Sequence, residues 1–518
     1  MLFKAKTILS TQDLQDKINQ LHVNYLPMNL NPSYERLKIS AMNKIEQILH
    51  ESTRKNLQEV DFEELLLCVL TILYFFGMRL KINNLKSRNW NWCLKRNFIR
   101  AETVFQDTIN NLSPERSEIT IKITFKFLSN VDLWQFESFV VQILEVILYY
   151  NNGQTTIFNL MLSDIQSTLF SDVKSARHRI RVLYDLLKSE NWIIEKQYLL
   201  PFVSRLLELF SYSIEKNDLK LSAYGFLRKG FEVCLRRIFE RVENHHRIFI
   251  ITTMLNWFSV VNLNSDHVLE FSSLLDRAAE LYTVESYTES FGEGVFEQVL
   301  VNFVASRNTL HSFIGCRLLQ RFLDRQRNAA LLMVPTIYYE FSQAQLRLGS
   351  YESCDKTFFR HYRDKIHEHC LVAVKTHCHN ISNLKVIFAI ICSIVLEVPC
   401  GLTAAMAACL CMEIQDYALN EENLVASSRY WMHAIVISVM SLICWVHKAS
   451  VLYRYVNQVI SRRAKEAPHL NPPLMQSYKI GHGHVTWNKP TLFFEDWEMR
   501  FGLWKHFKDA QPITGNKA

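Results

Sequence analysis

Glycine and proline are scarce in this chain, 13 and 11 of 518 residues. Hairpin turns and phosphate-cradling loops draw on glycine because it reaches positive φ at little steric cost. A β-sandwich or barrel is therefore disfavoured, and long α-helices with short connections remain. Hydrophobic residues make up 49% of the sequence. Burying them in one core at this length would need an unusually large domain, whereas a stacked helical array needs only neighbour-on-neighbour contact.

The helical period recurs along the chain. Between Phe139 and Leu148 the apolar positions Val140, Ile143, Leu144 and Ile147 fall at i, i+3, i+4 and i+7, with Gln142 and Glu145 on the other face. It returns at Val203, Leu206, Leu207 and Phe210 behind Pro201, which is read as a first-turn proline because its missing N–H would be unpaired there anyway. Leu274, Leu275, Ala278, Ala279 and Tyr282 form another such face, and Leu452, Tyr455, Val456 and Val459 another. Stacked pairs of roughly 40 residues would give about a dozen pairs. The expected fold is all-α, an armadillo/HEAT-like helical-repeat solenoid rod.

Breaks are expected at Asn151-Asn152-Gly153, Glu215 to Asp218, Asn262 to Asp266, Thr288 to Gly294, Leu348 to Ser353 and Asn420 to Asn423. Pro468, Pro472 and Pro473 end the helical run. Beyond them, Gly481-His482-Gly483-His484 and then Trp487, Phe493, Phe494, Trp497, Phe501, Trp504 and Phe507 read as an irregular aromatic tail packed back on the array. The organisation expected is an N-terminal helical segment over 1–100, a solenoid over 101–470 and the aromatic tail over 471–518.

A membrane span needs about 20 nearly uninterrupted apolar residues. Leu65–Met78 and Ala434–Val446 are shorter than that, and Val386–Met412 is broken by Glu397, Pro399 and Gly401. All three read as buried helices. The cysteines Cys68, Cys234, Cys316, Cys392, Cys409, Cys411 and Cys444 sit inside apolar helical runs and read as buried thiols in a reducing compartment. The first residues, Met1 to Lys6, show no signal-peptide pattern. The net charge of +7 is too weak and too dispersed to imply nucleic acid.

The sequence contains no G-x-S-x-G elbow, no Walker loop and no G-x-G-x-x-G. No residue is read as catalytic, and no cofactor is expected. His367, His369, Cys370, His377, Cys378 and His379 are ligand-like types. A histidine at i and i+2 of a helix faces two ways, and no second pair lies at finger spacing, so no metal is assigned. The sharpest functional patch runs from Arg79 to Arg100. Arg79, Lys81, Lys86, Arg88, Lys95, Arg96 and Arg100 occur there with no acidic residue, interleaved with Trp90, Trp92 and Phe98. Basic side chains attract anionic headgroups and tryptophans favour the interfacial layer, so the stretch reads as membrane-binding. The competing reading is a solvated helical face with the tryptophans in the core. Cys93, in its middle, is a candidate for acylation.

From about Leu128 to Pro473 the chain resembles the Efr-three family, which includes the fly rolling blackout (stambha A) protein. The closest stretch is Ile414-Gln415-Asp416-Tyr417-Ala418-Leu419 leading into Asn420-Glu421-Glu422-Asn423-Leu424. His433 to Val436, Leu442-Ile443, and Val459-Ile460 with Arg463 and Lys465-Glu466-Ala467-Pro468 follow in order. Collinear but weaker matches are Asp132-Leu133-Trp134, a helix from Phe322 to Asn328, and Phe358 with Arg360-His361-Tyr362.

The resemblance implies a rod of α-helical repeats at the cytoplasmic face of the plasma membrane. There it implies a non-enzymatic scaffold that tethers the type III alpha phosphatidylinositol 4-kinase with its tetratricopeptide partner and hyccin, supporting PI4P and PI(4,5)P2. It also implies an acylated N-terminal cysteine cluster and a long polar C-terminal tail. Met1 to Gln20 holds no cysteine, and the residues after Pro473 are short and aromatic. The expectation is a divergent relative, peripheral on the inner plasma membrane and docked on anionic lipid through the basic stretch. A soluble helical-repeat module that binds protein cargo in the cytosol is the main alternative, and a lipase-like enzyme the lesser one.

Overall fold

The computed structural model describes residues 9–21, 28–86, 92–112, 114–150, 154–190, 192, 196–215, 222–260, 265–291, 294–475 and 489–509. Among these there is no β-strand, and the chain divides between Arg241 and Val242 into two compact units. The breaks expected at Asn151-Asn152-Gly153, at 216–218 and at 262–264, together with Gly481 to His484 and Trp487, lie outside the described residues.

The first unit contains α1 (Thr11–Asn19), α2 (Glu35–Glu51), α3 (Arg54–Glu59), α4 (Glu63–Lys86), α5 (Trp92–Leu112) and α6 (Ser117–Asn130). It continues through α7 (Glu137–Tyr150), α8 (Gln154–Ser171), α9 (Val173–Lys188), α10 (Lys196–Glu215) and α11 (Ser222–Arg241). Helices pack on the next but one, as α7 and α11 do on α9 and α8 does on α10, and many also on a sequence neighbour, as α8 does on α9 and α11 on α10, which is how stacked helices bury their faces. The apolar positions read in 139–148 are all buried in α7. Each Leu, Ile or Phe so buried contributes about 2 kcal/mol before the entropy of ordering is subtracted. Pro201 lies inside α10, not in its first turn, because the helix starts earlier, at Lys196. The boundary expected at residue 100 falls within α5.

The second unit opens with α12 (Asn244–Val260), α13 (Ser265–Leu281), α14 (Tyr287–Ser290), α15 (Val295–Gln298) and α16 (Thr309–Leu323). Then come α17 (Ser353–His377), α18 (Ile381–Glu397), α19 (Gly401–Asn420), α20 (Ala426–His447), α21 (Ser450–Glu466) and α22 (Asp496–Asp509). Asn308 and Asn380 cap α16 and α18, each side chain accepting from two backbone N–H groups of the first turn. The apolar run over 386–412 is split at 398–400, where Pro399 stands, into α18 and α19, and Gly401 opens α19. The helix expected over Phe322–Asn328 stops at Leu323. Asp324 turns the chain by accepting from the N–H groups of Asn328 (2.6 Å) and Ala329 (2.7 Å).

By length and composition, Glu63–Asn83 within α4 and all of α20 would suffice to cross a membrane. The helices outrun the apolar stretches read as too short. Their windows are 67% and 78% buried, α4 against α2, α5 and α6, and α20 against α18, α19 and α21.

The aromatic tail also departs from the expectation. Leu492, Phe493 and Phe494 are buried and do pack back, Leu492 and Phe493 against Ala467 and Leu470, but Asp496–Asp509 is a regular helix resting on α19 and α21. Cys409 departs too, being exposed while the other thiols read as buried are buried.

Candidate functional site

The basic-aromatic stretch sits where α4 ends and α5 begins. The two helices pack on each other, and α2 packs on both. That third helix changes the electrostatics, since it brings carboxylates to a stretch whose own sequence has none. Arg79 Nη1 donates to Glu35 Oε2 at 2.6 Å, and Asn97 Nδ2 donates to Glu35 Oε1 at 3.2 Å. The Arg79 guanidinium also lies 5.2 Å from the centre of the Phe75 ring. Arg100 forks onto Glu46, with Nε on Oε1 at 2.7 Å and Nη2 on Oε2, and Nη2 also reaches Asn43 Oδ1 at 2.7 Å. This hydrogen-bonded pairing raises the guanidinium's pKa, against the opposing pull of burial. Two of the cations read as membrane-binding are therefore spent within the fold.

Lys81, Trp92, Lys95 and Arg96 remain on the surface. Lys81 Nζ stands 4.8 Å from the Phe136 ring and Lys95 Nζ 6.0 Å from the Trp92 ring. Arg96 is exposed, and Trp92 is 71% exposed, so this tryptophan is not in the core. Cys93 is exposed beside it. The side chains of Lys86, Arg88 and Trp90 lie outside the described residues. The fold adds Ile82 and Ile99, both exposed, which the sequence reading did not select. For Ile99 the signal was available, since its neighbours at helical spacing, Lys95, Arg96, Glu102 and Thr103, are all polar. Ile82 on α4 and Trp92 and Ile99 on α5 are thus exposed apolar side chains on the same two helices as Lys81, Lys95 and Arg96, and these are the types that enter a headgroup layer while cations meet lipid phosphates.

The His/Cys series does not converge. His367 Nε2 meets Glu413 Oε1 at 2.8 Å, His377 Nε2 donates to the Ser306 carbonyl at 2.7 Å, Cys370 and Cys378 are buried and His379 is exposed. A different trio, Glu243, His245 and His246 at the start of α12, lies close enough to share one ion, in an exposed to half-buried setting.

The residues that carry the sequence resemblance form struts. Trp134 is fully buried beneath the Arg179 guanidinium, 4.8 Å from its ring. Gln415 makes a two-way amide pairing with the backbone of Phe494, Nε2 donating to its carbonyl (2.8 Å) and Oε1 accepting from its N–H (3.0 Å). Arg463 Nε donates to the Leu492 carbonyl at 2.6 Å, and its guanidinium lies near the Phe493 and Phe494 rings. Gln415 and Arg463 thus fasten the returning segment that leads into α22.

A family model described as EFR3, armadillo repeat, matches residues 84–489. Protein EFR3 homolog B of Homo sapiens and that of Mus musculus are each 22% identical over 152 residues, 29% of this chain and 19% of theirs. Protein EFR3 homolog cmp44E of Drosophila melanogaster is 20% identical over 427 residues, 80% of this chain and 50% of the fly protein. The chain thus spans half or less of the length of these curated relatives.

Proposed function

The chain belongs to the EFR3 armadillo-repeat family, whose members are scaffold-type proteins, and from that premise we propose that it is a non-enzymatic scaffold docked peripherally on the inner plasma membrane. The observation that carries this reading is Trp92, which stands 71% exposed beside Lys95 and Arg96 on a helix whose other large apolar side chains are mostly packed away. Placing an indole in water is unfavourable, and the headgroup layer is where an indole and flanking cations are both satisfied. A single acyl chain on Cys93 would give marginal, reversible binding, so the surrounding cations supply the rest. The partners proposed are those the resemblance implies: the type III alpha phosphatidylinositol 4-kinase, its tetratricopeptide partner and hyccin, in support of PI4P and PI(4,5)P2.

The test is the location of a fluorescently tagged full-length chain beside a variant with Lys81, Lys86, Arg88, Lys95 and Arg96 changed to Ala, with a PI4P sensor in the same cells. Plasma-membrane signal present in the parent and lost in the variant is expected. The same distribution for both would end the electrostatic docking model.

A second reading is favoured by the pairing of Arg79 with Glu35 and Arg100 with Glu46, which reduces the cationic surface. It is a soluble helical-repeat module that binds protein cargo. Diffuse signal in both chains, with intact folding, is its signature.

A further inference from the structure

α22 is bound on one side and bare on the other. Met499, Gly502 and Leu503 are buried. A Cβ on Gly502 would come 2.9 Å from Leu452 Cδ1, and one on Gly401 of α19 would come 3.1 Å from the Phe507 ring, so the helix is seated closely on both neighbours. The opposite face carries Trp497, Phe501 and Trp504, exposed by 62%, 47% and 56%. Their spacing of i, i+4 and i+7 makes one stripe. Two cations stand on the same side: Lys505 Nζ is 6.0 Å from the Phe501 ring centre and Lys508 Nζ 4.6 Å from that of Trp504. Neither is within ion-pair reach of a carboxylate among the described residues, whereas Arg500 is held by Asp496 at 2.7 Å.

Beside the stripe runs an apolar groove of about 480 Å³, floored by the small residues Gly401, Ala405 and Ala408 of α19 and walled by Trp504. Through Ala405 and Cys409 it meets a second groove of about 310 Å³.

Three large aromatics facing water at helical spacing form a patch that a surface needing only solubility does not build. Lysines set over the rings distinguish it from the core of a protein interface, where lysine is depleted. Ring and ammonium side by side match the bilayer boundary, with the ring at headgroup depth and the ammonium at phosphate. We propose that this face of α22 is a second lipid-contact site that takes an anionic phospholipid surface, its aromatic stripe at the headgroup boundary and the α19 groove accepting an acyl chain. The proposal rests on the membrane-docked reading above but uses another unit and other residues.

Co-sedimentation of the full chain with phosphatidylcholine vesicles, with and without phosphatidylserine, tests it. The variants are Trp497→Ala/Phe501→Ala/Trp504→Ala, Lys505→Glu/Lys508→Glu, and Lys81→Ala/Lys95→Ala/Arg96→Ala, each checked for unchanged thermal unfolding. All changed side chains but Lys95 are exposed, and folding should survive. The aromatic variant should bind anionic vesicles about tenfold more weakly or worse, and the lysine variant should lose at least about fivefold per charge on anionic vesicles only. Loss in the α22 variants with none in the α5 set supports this site and sinks the α5 surface. Loss in the α5 set alone, with the aromatic variant binding as the parent does, overturns the inference, keeps the membrane reading and leaves the stripe to a protein partner. No vesicle binding by the parent overturns both.

Discussion

Arg463 is fully buried with a formal charge and no carboxylate partner in its hydrogen-bond set, which is carbonyls of Leu492, His433 and Leu470. Burial draws its guanidinium down to about 9, so it stays protonated at neutral pH and works as a multi-pronged donor to backbone that would otherwise lack partners. A second buried charge group behaves differently. Arg325 pairs with Asp355 (2.9 Å) and Glu397 (3.5 Å), and Glu397 Oε1 accepts the Gln326 N–H at 2.8 Å. Burial pushes the Glu397 carboxyl up to about 7 from its ordinary 4.5, outweighing that hydrogen bond and the nearby Arg325. Between those two pH values the folded chain holds a proton the unfolded chain has released, so stability falls as pH rises from 4.5 to 7 and is level above. Glu397→Gln keeps an acceptor for Gln326 and removes the titration. Urea melts across this window should show a shallower decline in the variant, and parallel declines would mean other groups set the slope.

At the scale of elements, several of the described glycines, Gly77, Gly230, Gly315, Gly401 and Gly502, lie within helices at close contacts. A Cβ on Gly315 in α16 would lie 2.5 Å from Phe303 Cβ and 2.7 Å from backbone atoms of the π-helical turn Val299–Val304. Neither neighbour is the tip of a flexible side chain, so the helix itself must move. Gly315→Ala should destabilise by about 2–3 kcal/mol despite alanine's better helix propensity. A denaturation midpoint equal to or above the parent's would show that the contact is slack. Gly294 is the contrasting case. Its φ of +91° is costly for other residues while nothing lies within 4 Å of its missing Cβ, so conformation and not space selects glycine there.

At the scale of the whole molecule, the division of the chain into two compact units after Arg241 predicts two calorimetric transitions instead of one. Gly77→Ala, whose Cβ would come 2.7 Å from the Phe139 ring, should lower the first unit's transition, and Gly315→Ala the second's. A single transition moved by both would join them into one cooperative block. Much of this was legible in the sequence: the 3.6 period marks the core face of α7, α13 and α21, and Pro399 and Gly401 mark the α18–α19 break, because both signals are local. The aromatic period of α22 was legible too but was masked by the prolines and glycines before it. By itself the sequence determined an all-α repeat chain and the location of its richest basic-aromatic stretch, since backbone propensity and face patterning act within a few residues. Tertiary structure alone decided which of those cations are tied to a carboxylate. Glu35 and Glu46 lie 44 and 54 residues from the arginines they neutralise, and charge acts through space without regard to chain distance.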